Sequence, residues 1–271
     1  MTLSEVFNTK NYVKIPKNNW IEIYKTINML NLIGKPIEIL LYYQNKVKSE
    51  TIVISDKKNI KLDLNGLSLT TSSNEPLITN NGKLEIVDTY VEDDFEYQID
   101  GKRQFGVILT SAKQGILNGE TGELTITNGC FGNASTVKEA DFGTSILNDG
   151  KLTIAGGYFY LDKDSAVCSS IINRNGLLEV NGGTFYNKFG TASISQRGNN
   201  EIIINDGVFA GKHSIYGSGA GKITINGGRF TSLQTTESNQ NSSTLMNIGG
   251  TSNIIINNCD CDLFGTIIST S

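Results

Sequence analysis

The stretch KLTIAGGYFY at residues 151–160 returns, altered but recognisable, along most of the chain, and this repetition limits the fold more than any other feature. Aligned on the first apolar residue of the motif, eight copies begin at Leu62, Leu84, Leu124, Leu152, Leu178, Ile202, Ile223 and Ile254. Their starts lie 21 to 31 residues apart, with one interval of 40, a spacing typical of solenoids, in which each repeat buries its apolar face only by stacking on its neighbours. The long interval holds VEDDFEYQIDGKRQ at 91–104, which reads as an insertion into one coil.

A second apolar beat precedes most copies: Ile78, Ile116, Ile146, Ile171, Ile194, Ile215 and Met246. Turn signals such as NNG at 80–82, NDG at 148–150 and NRNG at 173–176 separate the two beats. Each repeat therefore predicts three short strands that never reverse, the coil of a parallel β-helix. One inward column would hold the eight motif starts. Another would hold Leu69, Val91, Phe131, Phe159, Phe185, Phe209 and Phe230, ending at Cys261. With coils about 4.8 Å apart, like side chains stack on like. At the bend, Asn181, Asn205, Asn226 and Asn257 share a column and predict a ladder of amides bonded from coil to coil. The column Gly129, Gly157, Gly183, Gly207 and Gly228 predicts a corner that needs positive φ. Lys83, Glu123 and Lys151, and then Glu201 and Lys222, predict outward charge pairs.

The composition supports a turn-rich all-β chain and removes several functions. Among 271 residues there are 29 glycines and 3 prolines. The net charge of −4 gives no broad basic footprint for nucleic acid. Cys130, Cys168, Cys259 and Cys261 contain no CxxC pair; the CxC at 259–261 lacks the second pair or histidine that zinc would need. No cofactor or metal is implied. The first twenty residues carry no visible signal peptide, and no apolar run approaches the roughly 18 residues of a membrane span.

Residues 18–31, NNWIEIYKTINMLN, place Trp20, Ile23, Ile27 and Leu30 at helical spacing, behind asparagines able to cap. An N-terminal capping helix would plug the open first coil, a cap spanning 1–58 with the first strands in PIEILLYY and ETIVIS. Residues 59–271 would be one continuous solenoid. With NIKLDLNG at 59–66 and the repeated G-x-L-T-I-x-G-G-x-F units, the chain resembles the single-stranded, right-handed parallel β-helix proteins of the pectate-lyase-like superfamily, above all its surface-adhesin and phage tail-fibre or tailspike members. The resemblance covers about residues 18–268. It implies about eight coils of three strands. Because lyases, hydrolases, depolymerases and non-catalytic adhesins share the fold, it does not choose an activity.

The Gly-Gly of the motif fits neither GxxxxGK[ST] nor GxGxxG before a helix, so it cradles no phosphate. Asp63 and Glu85, aligned in one outward column, are the candidates for a pair of catalytic carboxylates about 5 Å apart, the retaining-glycosidase spacing; salt bridging with Lys61 and Lys83 is the competing reading. The acidic insertion Glu92, Asp93, Asp94 and Glu96, and DKDS at 162–165, read as solvated loops lacking a full calcium signature. His213, the single histidine, reads as a surface turn residue. Arg174, Arg197 and Arg229 are too few and too scattered for a lyase base with calcium-binding aspartates. Coil length varies mainly after the phenylalanine column, and variable loops on a rigid scaffold favour recognition. Tyr158, Tyr160, Tyr186, Phe189 and Tyr216 form the candidate ligand-binding face, since aromatic faces beside polar groups suit sugars; tyrosines that merely shield the coil corner are the competing reading. The expected function is a non-catalytic receptor- or glycan-binding module of a virion or cell surface. A polysaccharide lyase or hydrolase and a structural spacer are the alternatives. The final LFGTIISTS opens another coil, so either the solenoid continues beyond this sequence, or a tail, a homo-oligomeric partner such as a trimer mate, or another subunit covers that end.

Overall fold

The computed structural model describes residues 12–14, 37–40, 45–47, 51–71, 74–90, 98–99, 102–103, 106–110, 114–134, 143–161, 169–233, 243–261 and 266–270. Every described element is a strand, and all pairings between coils are parallel. The chain is an all-β parallel solenoid with the organisation of a β-helix. The helix expected at 18–31 lies outside the described residues.

Three faces wind around the core. The first stacks ten strands, from Tyr12–Lys14 and Ile37–Leu40 through Lys83–Val87 and Lys151–Ile154 to Asn253–Ile256. Parallel pairing thus begins ahead of residue 59. The second face runs through Ser68–Thr71, Val107–Thr110, Cys130–Asn133, Tyr158–Leu161 and Arg229–Ser232 to Asp260–Cys261. The third runs through Ile78–Asn80, Gln114–Asn118, Thr144–Asn148, Ser169–Asn173 and Ser243–Ile248 to Thr266–Thr270. In two coils the second and third strands fuse into continuous strands, Thr184–Gln196 and Val208–Gly217, so three separate strands per coil is not universal. Within the insertion, Gln98–Ile99 and Lys102–Arg103 pair antiparallel.

The inward columns explain why only a stack is stable. Phe131, Phe159, Phe185, Phe209 and Phe230 are buried and stack face to face, with centroids 5.0, 4.8, 4.7 and 4.8 Å apart. Each such ring contributes roughly 1.5–3 kcal/mol by leaving water, and only a neighbouring coil can cover its two faces. Leu69 and Ile108 continue this column downward. Ile108 therefore holds the place expected for Val91, which lies outside the described residues; the insertion delays the return of the chain to the face. The third-face beat is as expected: Ile78 to Met246 partner coil to coil, extended by Ile268, with register shifts between Asn187 and Ala192, His213 and Ile215, and Ser243 and Met246.

The first face corrects one register. Ile60, not Leu62, partners Leu84, and Leu62 partners Ile86. Alternation has period two, so a shift of two residues leaves every apolar side chain inward and is invisible to pattern alone. From Leu84 onward, the column of motif starts follows the expected order to Ile254.

Candidate functional site

The register shift separates the candidate carboxylates. Asp63 stands opposite Val87, whereas Glu85 stands between Lys61 and Thr125. Asp63 is buried and accepts hydrogen bonds from Asn65 N (2.9 Å), Thr89 N (3.0 Å) and Thr89 Oγ1 (2.5 Å). Asp88 does similar work, accepting from Gly66 N at 2.7 Å and Gly106 N at 2.5 Å. These carboxylates hold the corner between the first and second faces by satisfying backbone donors that the bend takes out of the ladder.

In later coils the same corner uses amides. Asn205 Nδ2 donates to Asn181 Oδ1 at 2.7 Å, Asn226 to Asn205 at 2.7 Å, and Asn257 to Asn226 at 2.6 Å. Asn181, Asn226 and Asn257 are exposed. Beside this ladder, Gly129, Gly157, Gly183, Gly207 and Gly228 have φ between 101° and 134°, where a side chain would be strained.

A second ladder lies at the corner between the third and first faces, and it is buried. Asn80 Nδ2 donates to Asn118 Oδ1, Asn118 to Asn148, and Asn148 to Asn173, each at 2.7 Å. Its rungs also close the turns: Asn148 Nδ2 reaches Gly150 O at 3.1 Å and Leu177 O at 3.1 Å, and Asn173 Nδ2 reaches Gly176 O at 2.9 Å. Gln196 takes the next place, followed by Gly217. The longer glutamine arm accepts from Ser252 Oγ at 2.6 Å, two coils above, past the glycine that leaves it room. This row was legible as Ile-x-Asn at 78–80, 116–118, 146–148 and 171–173 and Ile-Ser-Gln at 194–196; counting its asparagines as turn signals hid their alignment.

The aromatic face is divided by burial. Tyr160 partners Tyr186 on adjacent coils. Tyr160 is only 3% exposed and Tyr158 9%; both pack with Val107 and Cys130 on the outer side of the second face. The Tyr160 ring lies across Gly132, where an added Cβ would stand 2.3 Å from its Cζ. Tyr186 and Tyr216 are half-buried. Phe189 lies in the strand Thr184–Gln196, but its side chain lies outside the described residues. Tyr158 and Tyr160 thus line a packed cluster, and Tyr186 and Tyr216 are the candidates within reach of solvent.

His213 is not a surface turn residue. It is 4% exposed inside the strand Val208–Gly217, partnered with Ala192 and Ser243. Burial, with a smaller contribution from Lys212, pushes its pKa down to about 4, so the ring is neutral at pH 7. Arg174 binds Asp149 through both guanidinium and carboxylate forks, with Nε 2.8 Å from Oδ1. Arg197 follows Arg174 at the same corner, its amide donating to Asn173 O, while Arg229 stands apart on the second face. The expectation that all three arginines are scattered therefore holds for Arg229 alone. Lys222 Nζ and Glu201 Oε1 lie 3.1 Å apart, and Glu123 lies in register between Lys83 and Lys151. The acidic residues 92–96 and the DKDS segment lie outside the described residues. Among the described residues, no three of histidine, cysteine, aspartate and glutamate form a group able to hold a metal ion.

Against protein-family models, curated proteins and solved structures, the chain gives no match.

Proposed function

We propose that the chain is a right-handed, pectate-lyase-like β-helix serving as a non-catalytic module that binds a cell-surface glycan or receptor, in a virion tail fibre or tailspike or on a cell surface. The observation that carries the reading is where coil length varies. Between the second and third faces the strands are joined through residues 134–143, 162–168 and 233–242 in three coils, yet are continuous in the two coils between them. Apart from the insertion at 91–104, the other two corners are closed by short turns and bonded side-chain rows. Variation concentrated at one corner of a rigid stack is the usual arrangement for recognition. Tyr186, half-buried at the end of the second face beside this corner, supplies aromatic surface of the kind sugars use; Tyr216 stands at the far end of the third face, one residue before Gly217. Ile256 and Ile268, each 39% exposed at inward positions of the last described coil, support a cover there, from further coils, a trimer mate or another subunit.

The test is binding of the full chain to a glycan array and to intact bacterial cells. Tyr186→Ala, and separately a Gly/Ser link in place of 234–242, should each lower retention at least about tenfold, a loss of about 1.4 kcal/mol. Unchanged retention in both variants, with folding intact by circular dichroism, would discard this corner as the binding surface.

A further inference from the structure

The CxC motif has no part in the corner just described, yet the fold brings its two sulfurs together. Cys259 Sγ and Cys261 Sγ lie 3.6 Å apart. Cys259 stands at the corner just before the strand Asp260–Cys261, and both thiols are partly exposed and packed against the end of the core. Cys261 takes the next place in the phenylalanine column, in register with Phe230. Cys259 takes the place above Gly228, where five coils below it use a glycine with positive φ. Cys259 is not among the residues of positive φ, and Asp260 N still donates to Gly228 O at 2.9 Å. The last coil thus turns this corner without a left-handed residue and gains a thiol that a glycine could not supply.

We propose that Cys259 and Cys261 are a redox pair that closes into a disulfide across the strand start by exchange with a small-molecule disulfide such as oxidised glutathione. One cysteine thiolate attacks a glutathione sulfur, forming a mixed disulfide and releasing one glutathione thiolate. The second cysteine thiolate then attacks the protein sulfur of that mixed disulfide and expels the second glutathione thiolate. The protein gives up two electrons and two protons, and the oxidant becomes two molecules of glutathione thiol. The sulfurs need to close from 3.6 Å to about 2.05 Å. Because exchange requires an accessible thiolate, Cys130 serves as an internal control: it is 1% exposed, and burial pushes its thiol pKa up.

The full chain is incubated with oxidised glutathione at pH 8, quenched in acid, alkylated and digested. The peptide spanning 259–261 should lose two hydrogens and both alkyl labels, and regain both labels after dithiothreitol. Cys130 should keep its label unless the chain is first unfolded in urea. Cys259→Ser should replace ring closure by a glutathione adduct on Cys261. The proposal is overturned if both wild-type thiols remain alkylated at excess oxidant, if each carries its own glutathione, or if either links to Cys130, Cys168 or a second copy. The wild-type digest alone separates these outcomes, so the result does not depend on the variant folding.

Discussion

The two asparagine ladders use the same amide bond at nearly the same length, and they should differ several-fold in what they contribute. The Asn80–Asn173 row is sealed from water and its amides also hold turn carbonyls. The Asn181–Asn257 row lies mostly in solvent. A buried polar group that loses its partner bears its full desolvation cost, whereas an exposed one turns to water. Repetition at the surface sets register; repetition in the interior commits the stack to being complete.

The sharpest way to break the comparison is Asn148→Asp. It puts an acceptor-only carboxylate where Nδ2 now donates to Asn173 Oδ1, Gly150 O and Leu177 O. Stability should fall by about 4 kcal/mol or more at pH 7, read as a lower urea midpoint. Asn148→Ala leaves the same acceptors without a donor but adds no charge, so about 3 kcal/mol is expected. Acid offers a route to one buried group, the His213 ring. His213 titrates at about 4 in the folded chain and near 6.5 when unfolded. Between these values the unfolded chain binds more protons. Its contribution is therefore fully present above pH 6.5 and lost as pH falls towards 4, at up to about 1.4 kcal/mol per pH unit. His213→Gln should flatten that part of the pH–stability curve; an unchanged slope would show that His213 does not carry it. Asn205→Ala, in the exposed ladder, should cost no more than about 1 kcal/mol. Lys222→Ala removes an exposed partner of Glu201 and should shift stability by less than about 0.5 kcal/mol. If Asn205→Ala matched Asn148→Ala, burial would not be what separates the ladders.

Most of the scaffold was legible because stacking turns periodicity into contact. The phenylalanine column, the positive-φ glycines and the exposed amide row could be named from spacing. Pattern failed where two positions are equivalent to it. Leu62 and Ile60 both face inward, so alternation could not choose between them, and that two-residue ambiguity created the apparent Asp63–Glu85 pair. The 91–104 insertion likewise hid Ile108 by separating it from its own coil. The aromatic face was harder still, since outward from the core does not mean exposed: Tyr158 and Tyr160 leave the central stack only to be buried in a second cluster. His213 was misplaced because GKH resembles a turn, while the strand runs through it unbroken.

The ladders also have polarity. In the buried row each Nδ2 points towards the C-terminal end, and in the exposed row each points towards the N-terminal end. Amides aligned head to tail add their dipoles, as peptide groups do along a helix. The positive ends of both rows therefore meet in one central coil, at Asn173 and Asn181, and their negative ends point outward along the axis. Asn181 Nδ2 donates to Glu179 Oε1 at 3.3 Å, so a carboxylate stands where the exposed row's positive charge gathers. Each ladder is a small electrical axis, and the coil holding Asn173, Glu179 and Asn181 is the seam where the two oppose.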